Sequence, residues 1–169
     1  MPLSIYQLAV PPIVKALTNL RAVLEKAKAH AAARKIDESA FIGSRLYPDM
    51  LPLSFQVQVA CDIGRAAVAR VAGLEPPKYE DNETTFDQLV ARIDRTIAEI
   101  KAIDRKAVEE GESRTITRPV RGQPHNFTAP NFIQQHALPN VYFHVATAYG
   151  LLRHGGVELG KRDYLGDFD

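Results

Sequence analysis

Residues 140–156 read NVYFHVATAYGLLRHGG, and the organisation of the chain can be worked outward from them. The stretch predicts a helix that runs to a stop at Gly155-Gly156, with His144 set among aromatic and small residues. The same helix extends back to Asn131, with a bend expected at Pro139. His144 therefore sits on a helix, as a metal ligand, a catalytic base or a core histidine that has found a hydrogen bond.

Three further amphipathic helices precede it. Ile13, Leu17, Leu20, Leu24, Ala27 and Ala31 recur at alternating steps of four and three, the stripe of a long helix with Lys15, Glu25 and Lys26 outside it. Pro11 and Pro12 either start this helix or kink an earlier turn built on residues 5–10. Asp37 caps a short helical piece over residues 38–46, and LYPDMLPL follows as a prolyl connection. A second long helix is expected from Pro52 to Ala72, ending at Gly73. Its expected apolar face is Phe55, Val59, Ile63, Ala66 and Ala67, small enough in places to let neighbours approach closely. After the polar loop EPPKYEDNE, Thr84 or Thr85 opens a third helix carrying Phe86, Val90, Ile93, Ile97 and Ile100.

The pattern changes after Ile103. SRTITRPVRGQPHNFTAP, residues 113–130, alternates through Thr115-Ile116-Thr117, turns near Arg121-Gly122-Gln123 and returns through His125-Asn126-Phe127. That is a β-hairpin or extended loop, with strands expected to be limited by Pro119 and Pro124. The tail VELGKRDYLGDFD offers Val157, Leu159, Tyr164 and Leu165 for docking on the body. Residues 1–169 are read as a single all-α domain, a four-helix bundle with a small insertion before the last helix.

Composition narrows the function classes. With 46% hydrophobic residues the chain can build a core, and 21 Lys+Arg against 20 Asp+Glu offers no one-signed field to steer nucleic acid or an anionic membrane. The lone Cys61 excludes an internal disulfide and a cysteine-rich zinc site. No apolar run approaches the ~18 residues of a membrane span, and MPLSIYQLAVPP lacks the pattern of a signal peptide. A cytoplasmic protein is expected.

Several residues carry candidate chemistry. His136, Asn140 and His144 are spaced by four and fall near one helix face, the spacing at which paired imidazoles converge on a metal. Here the middle position is an amide, and a buried, hydrogen-bonded His144 is the simpler reading. In SFQVQVACD, Gln58 and Asp62 share a face amid apolar neighbours, with Gln56 nearby. They sit either on the solvent side or in a polar cluster with Asn140 and His144, where Asp62 would accept a hydrogen bond from a ring nitrogen of His144. Cys61 is read as a small core residue. Arg114, Arg118 and Arg121 either bind a carboxylate or phosphate or simply solvate an exposed ribbon, with Lys161 and Arg162 in the tail.

LPNVYFHVATAYGLLRHGG followed by LGKRDYLG, together with LPLSFQVQVACD and LEPP, resembles an uncharacterised bacterial domain-of-unknown-function family within the DinB/YfiT-like superfamily of four-helix bundles. The resemblance covers nearly the whole chain. It implies an up-down-down-up bundle, often a homodimer, in which many members hold a divalent metal with a second-helix histidine and an i, i+4 pair from the last helix. Some members are thiol-dependent transferases or isomerases, others metal-dependent hydrolases. Carried onto this sequence, those positions fall at Gln58, Asn140 and His144, and Arg153 stands where many members have an arginine.

Two of the three implied ligands are therefore amides, a degenerate site that holds metal weakly unless Asp62 or Asp49 joins. The resulting expectation is a small-molecule-binding bundle with no cofactor and no strong metal site. Gln58, Asp62, Asn140, His144 and Arg153 would bind the ligand, with Tyr47 or Tyr149 near, and His144 and Asp62 as the catalytic candidates. The alternatives are a metal-dependent hydrolase or thiol-dependent transferase using His144, and a structural homodimer without a ligand.

Overall fold

The computed structural model describes residues 3–168. In chain order the elements are α1 (Ile5–Arg34), α2 (Ser39–Ile42), α3 (Leu53–Val71), α4 (Phe86–Ala102) and α5 (Arg105–Glu109). The strands β1 (Thr115–Val120) and β2 (Gln123–Thr128) follow, then α6 (Ala129–Asn131), a π-helical turn (Phe132–Ala137), α7 (Leu138–His154) and α8 (Lys161–Leu165). The protein is mostly helical with one small antiparallel hairpin. The long helices α1 and α3 each pack against both α4 and α7, so four apolar faces meet in one core.

The stripe on α1 is buried throughout, from Ile13 to Ala31. The helix begins at Ile5 behind a capping box, in which Ser4 Oγ accepts from the Gln7 amide and Gln7 Oε1 accepts from the Ser4 amide. Pro11 and Pro12 do not start the helix, which begins at Ile5; they lie inside it. Their missing N–H groups leave carbonyls one turn back without the usual partners. Asp37 does serve the next piece, accepting from the Ser39 amide at 2.9 Å, but the helix closes at Ile42 and not at residue 46.

On α3 the boundaries match expectation and the face does so only in part, at Ala66 and Ala67. Phe55, Val59 and Ile63 are only half-buried, whereas Leu53, Val57, Ala60, Cys61, Gly64, Ala67, Val68 and Val71 form the buried side. The small-residue reading holds on this other face: a Cβ built on Gly64 would stand 2.8 Å from Ile13 Cγ2, so α1 and α3 close together only because Gly64 has none. α4 starts at its Thr85 cap and buries Phe86, Val90, Ile93 and Ile100, with Ile97 half-buried.

The hairpin forms, but the prolines do not limit it. Pro119 pairs with Pro124 inside the strands, and the two-residue turn Arg121-Gly122 has φ of 51° and 78°. Positive φ at both turn residues is the type I′ arrangement that matches strand twist. Proline is tolerated because each strand has one unpaired edge to which a missing N–H can be turned. Just before Pro139, the expected place of a bend, the chain forms a π turn, whose wider winding accommodates the ring. In the tail, Val157 and Leu159 are buried, while Tyr164 and Leu165 on α8 are half-buried.

Candidate functional site

Helix α7 presents His144 toward the first turn of α3. His144 Nδ1 lies 2.8 Å from Gln56 Oε1, and Gln56 Nε2 donates to the Leu51 carbonyl at 2.9 Å. The second contact fixes the first. Reversing the amide would set Gln56 Oε1 against the Leu51 carbonyl oxygen, two acceptors facing each other, so Oε1 must face the imidazole. An amide oxygen only accepts, so His144 Nδ1 carries a hydrogen. Burial pushes the His144 imidazole below its ordinary value, which leaves it neutral at pH 7 with its lone pair on Nε2. Among the described residues Nε2 has no hydrogen-bond partner. Gln56 is almost fully buried and His144 is half-buried, with the exposed Phe143 ring centroid 5.2 Å from that of His144.

The polar residues expected to share this site are elsewhere. Gln58 is buried, yet its Nε2 donates to Glu83 Oε2 at 2.8 Å. Asp62 Oδ1 accepts from Arg65 and from Arg92, each at 2.9 Å, and does not pair with His144. The reason is helical phase: Gln56 and Asp62 are six residues apart, which turns them about 240° from each other at ~100° per residue. Asn140 is used locally, its Nδ2 donating to the His136 carbonyl at 2.6 Å beside the π turn. Arg153 donates to Tyr149 Oη at 2.9 Å and to the Leu159 carbonyl at 2.5 Å, clasping the tail. Tyr47 and Asp49 are exposed in the prolyl connection. Cys61 is fully buried and its thiol is pushed up to about 12 by burial, so it stays protonated and inert.

The second cluster centres on Arg92, which is 3% exposed. Its guanidinium pairs with Asp62, Asp81 and Glu83, each at 2.9 Å, and donates to the Glu80 carbonyl at 3.1 Å. Burial alone would raise the Glu83 carboxyl; the hydrogen bonds from Arg92 and Gln58 outweigh it and hold the group below its ordinary value. The Tyr79 ring is sandwiched between Arg65 and Arg95, whose guanidinium carbons stand 3.7 and 4.0 Å from its centroid. Together these contacts strap the loop of residues 79–83 onto α3 and α4, beside a polar cleft of about 500 Å³ lined in part by Tyr79, Glu83, Arg92 and Arg95. Sequence reading missed Arg65, Arg92 and Tyr79. The available signals were Asp62 and Arg65 at i, i+3 spacing and Arg92 one turn from both Leu89 and Thr96.

The resemblance implies three metal ligands, and this donor set does not fit them. Gln56, not Gln58, meets His144, and its oxygen is engaged by the Nδ1 hydrogen; Asn140 is turned to a backbone carbonyl; Asp62 is bound to two arginines. Among the described residues no group of three His, Cys, Asp or Glu side chains is arranged to hold a metal ion. Nor is any helix among them long and apolar enough to cross a membrane.

The comparisons agree with this picture of a DinB-like helical protein. The crystal structure of a DinB family member protein from Shewanella denitrificans aligns with a TM-score of 0.89 and 41% identity, covering 96% of this chain and 92% of that one. Residues 5–165 match the family described as Domain of unknown function (DUF1993), and the chain belongs to that family. No curated protein matches the chain.

Proposed function

We propose that the protein is a cytoplasmic small-molecule-binding bundle of up-down-down-up order, in which His144 Nε2 receives a hydrogen-bond donor of the ligand. The observation that supports this most is the relay from Leu51 through Gln56 to His144 Nδ1, which orients the ring and frees Nε2. A fixed neutral imidazole suits a hydroxyl, amine or thiol better than an anion. Phe143 supplies an apolar contact beside it, and a few polar groups in an apolar frame are what small-ligand sites use. Exposed Tyr142 and Phe143 on α7 also offer an apolar surface for the homodimer that the resemblance implies.

The same lone pair favours a second reading, an enzyme with His144 as general base. A screen of small alcohols, amines and thiols, read by His144 ring shifts in NMR, separates the two. Binding lost in Gln56→Leu and His144→Ala without turnover supports the binding protein; turnover that disappears in both variants supports the enzyme. Ligands that bind wild type and both variants alike would refute each.

A further inference from the structure

Arg114 and Arg121 of the hairpin are exposed, whereas Arg118 is half-buried. Alternation along β1 and β2 puts Arg114, Ile116 and Arg118 on one face, with His125 and Phe127 opposite Arg118 and Ile116. Ile116 is 5% exposed, so this is the face turned toward the body of the protein. Phe127 packs edge-on to His136 at 5.8 Å between ring centroids, and His136 stacks on Phe132 at 5.4 Å. Arg114 Nε donates to the Val71 carbonyl at the end of α3, with its guanidinium lying over Gly73, where a Cβ would meet it at 2.8 Å. The hairpin therefore delivers Arg118 to the junction of the last turn of α3, which carries Arg70, and the π turn, which carries His136.

This junction gathers positive charge, which Glu75 offsets only in part at Arg70. Among the described residues no carboxylate oxygen comes within 4.0 Å of a nitrogen of Arg70, Arg114 or Arg118. The cations act on one another: burial first and then Arg118 lower Arg70, with Glu75 opposing, and burial followed by Arg118 and Arg70 lowers His136. His136 Nδ1 is buried with no partner. With no acceptor at Nδ1, the hydrogen of the neutral ring belongs on Nε2, where it can be donated. Arginines brought together without a carboxylate in contact store repulsion that an anion relieves.

We propose that Arg70, Arg118 and His136 form a site for a phosphate-type oxyanion, with Arg114 and His125 at its margin. Two guanidinium forks and an imidazole approaching from α3, β1 and the π turn suit a tetrahedral group, which accepts hydrogen bonds on several sides, better than a planar carboxylate. The site stands on other residues than the His144 pair and is independent of that reading.

The test follows His136 ring resonances by NMR while inorganic phosphate is added at constant ionic strength, in wild type, Arg118→Gln and Arg70→Gln. A saturable His136 shift, a rise in its titration midpoint with phosphate, and at least about tenfold weaker binding in both variants are expected, the loss of one charge-assisted contact each. A His136 response that chloride reproduces equally, that never saturates, or that survives unchanged in both variants would overturn the site.

Discussion

His144 and Gln56 meet across α7 and α3 with Nδ1 2.8 Å from Oε1, and the amide is held from behind by the Leu51 carbonyl. One partner thus determines both the tautomer and the orientation of the imidazole, the role that groups behind catalytic or ligand histidines play.

Replacing Gln56 by glutamate should reverse the electrostatics of that pair. A carboxylate facing Nδ1 favours the imidazolium, so His144 should titrate above its ordinary value near 6.5, whereas wild type titrates below it. An NMR pH titration reads this directly, and an unchanged midpoint would mean the two side chains do not meet.

Stability should fall in mild acid. Burial lowers both His136 and His144 in the folded state, so below about 6.5 the unfolded chain takes up protons that the folded chain resists. Their contribution is complete above that pH and is lost as pH drops. Glu83, held low in the fold, contributes above the carboxylate range and loses its share only in stronger acid. Urea unfolding at several pH values should show the first loss, and a His136→Gln/His144→Gln double variant should flatten it.

Arg92→Met should cost about 3 kcal/mol, the lower end for breaking a buried ion pair, because Asp62 and Asp81 have side chains 40% and 54% exposed and can rehydrate. Loss of the strap should also speed amide exchange over residues 79–83. A cost below about half a kcal/mol, as for an ordinary surface change, would remove Arg92 from the stabilising network.

These predictions rest on features that differed in how far the sequence revealed them. The α1 stripe was readable because every buried position is apolar and the 3.6 period is unbroken. On α3 the buried side also holds Gln56, Gln58 and Arg65, so apolar periodicity pointed to Phe55, Val59 and Ile63 instead. The i, i+4 spacing of Gln58 and Asp62 is equally compatible with His144 as a partner, and only the placement of α4 gives Asp62 to Arg92. The hairpin followed from Arg121-Gly122, yet its inward face needed the register. His144 could be singled out on sequence; its partner could not, because Gln56 and Gln58 differ only in which neighbour each one meets.

Leu20→Ala should cost about 2–5 kcal/mol, since Leu20 is 1% exposed in the centre of the α1 stripe. Chemical denaturation measures it, and a change below about half a kcal/mol would place that stripe at the surface.

Titration with zinc, nickel or manganese should give no stoichiometric binding that depends on His144, because Gln56, Asn140 and Asp62 are all committed to other groups. Elemental analysis of untagged wild type and His144→Ala makes the comparison. One metal per chain that is lost in the variant would contradict the donor assignment.

The most direct test of the central claim is a long-range proton–nitrogen NMR correlation of the His144 ring at pH 7. The expected result is a neutral ring with the hydrogen on Nδ1 and a pyridine-like shift at Nε2, the Nε2 signal moving when a hydrogen-donating ligand binds. A ring protonated on Nε2, or charged at that pH, would contradict it.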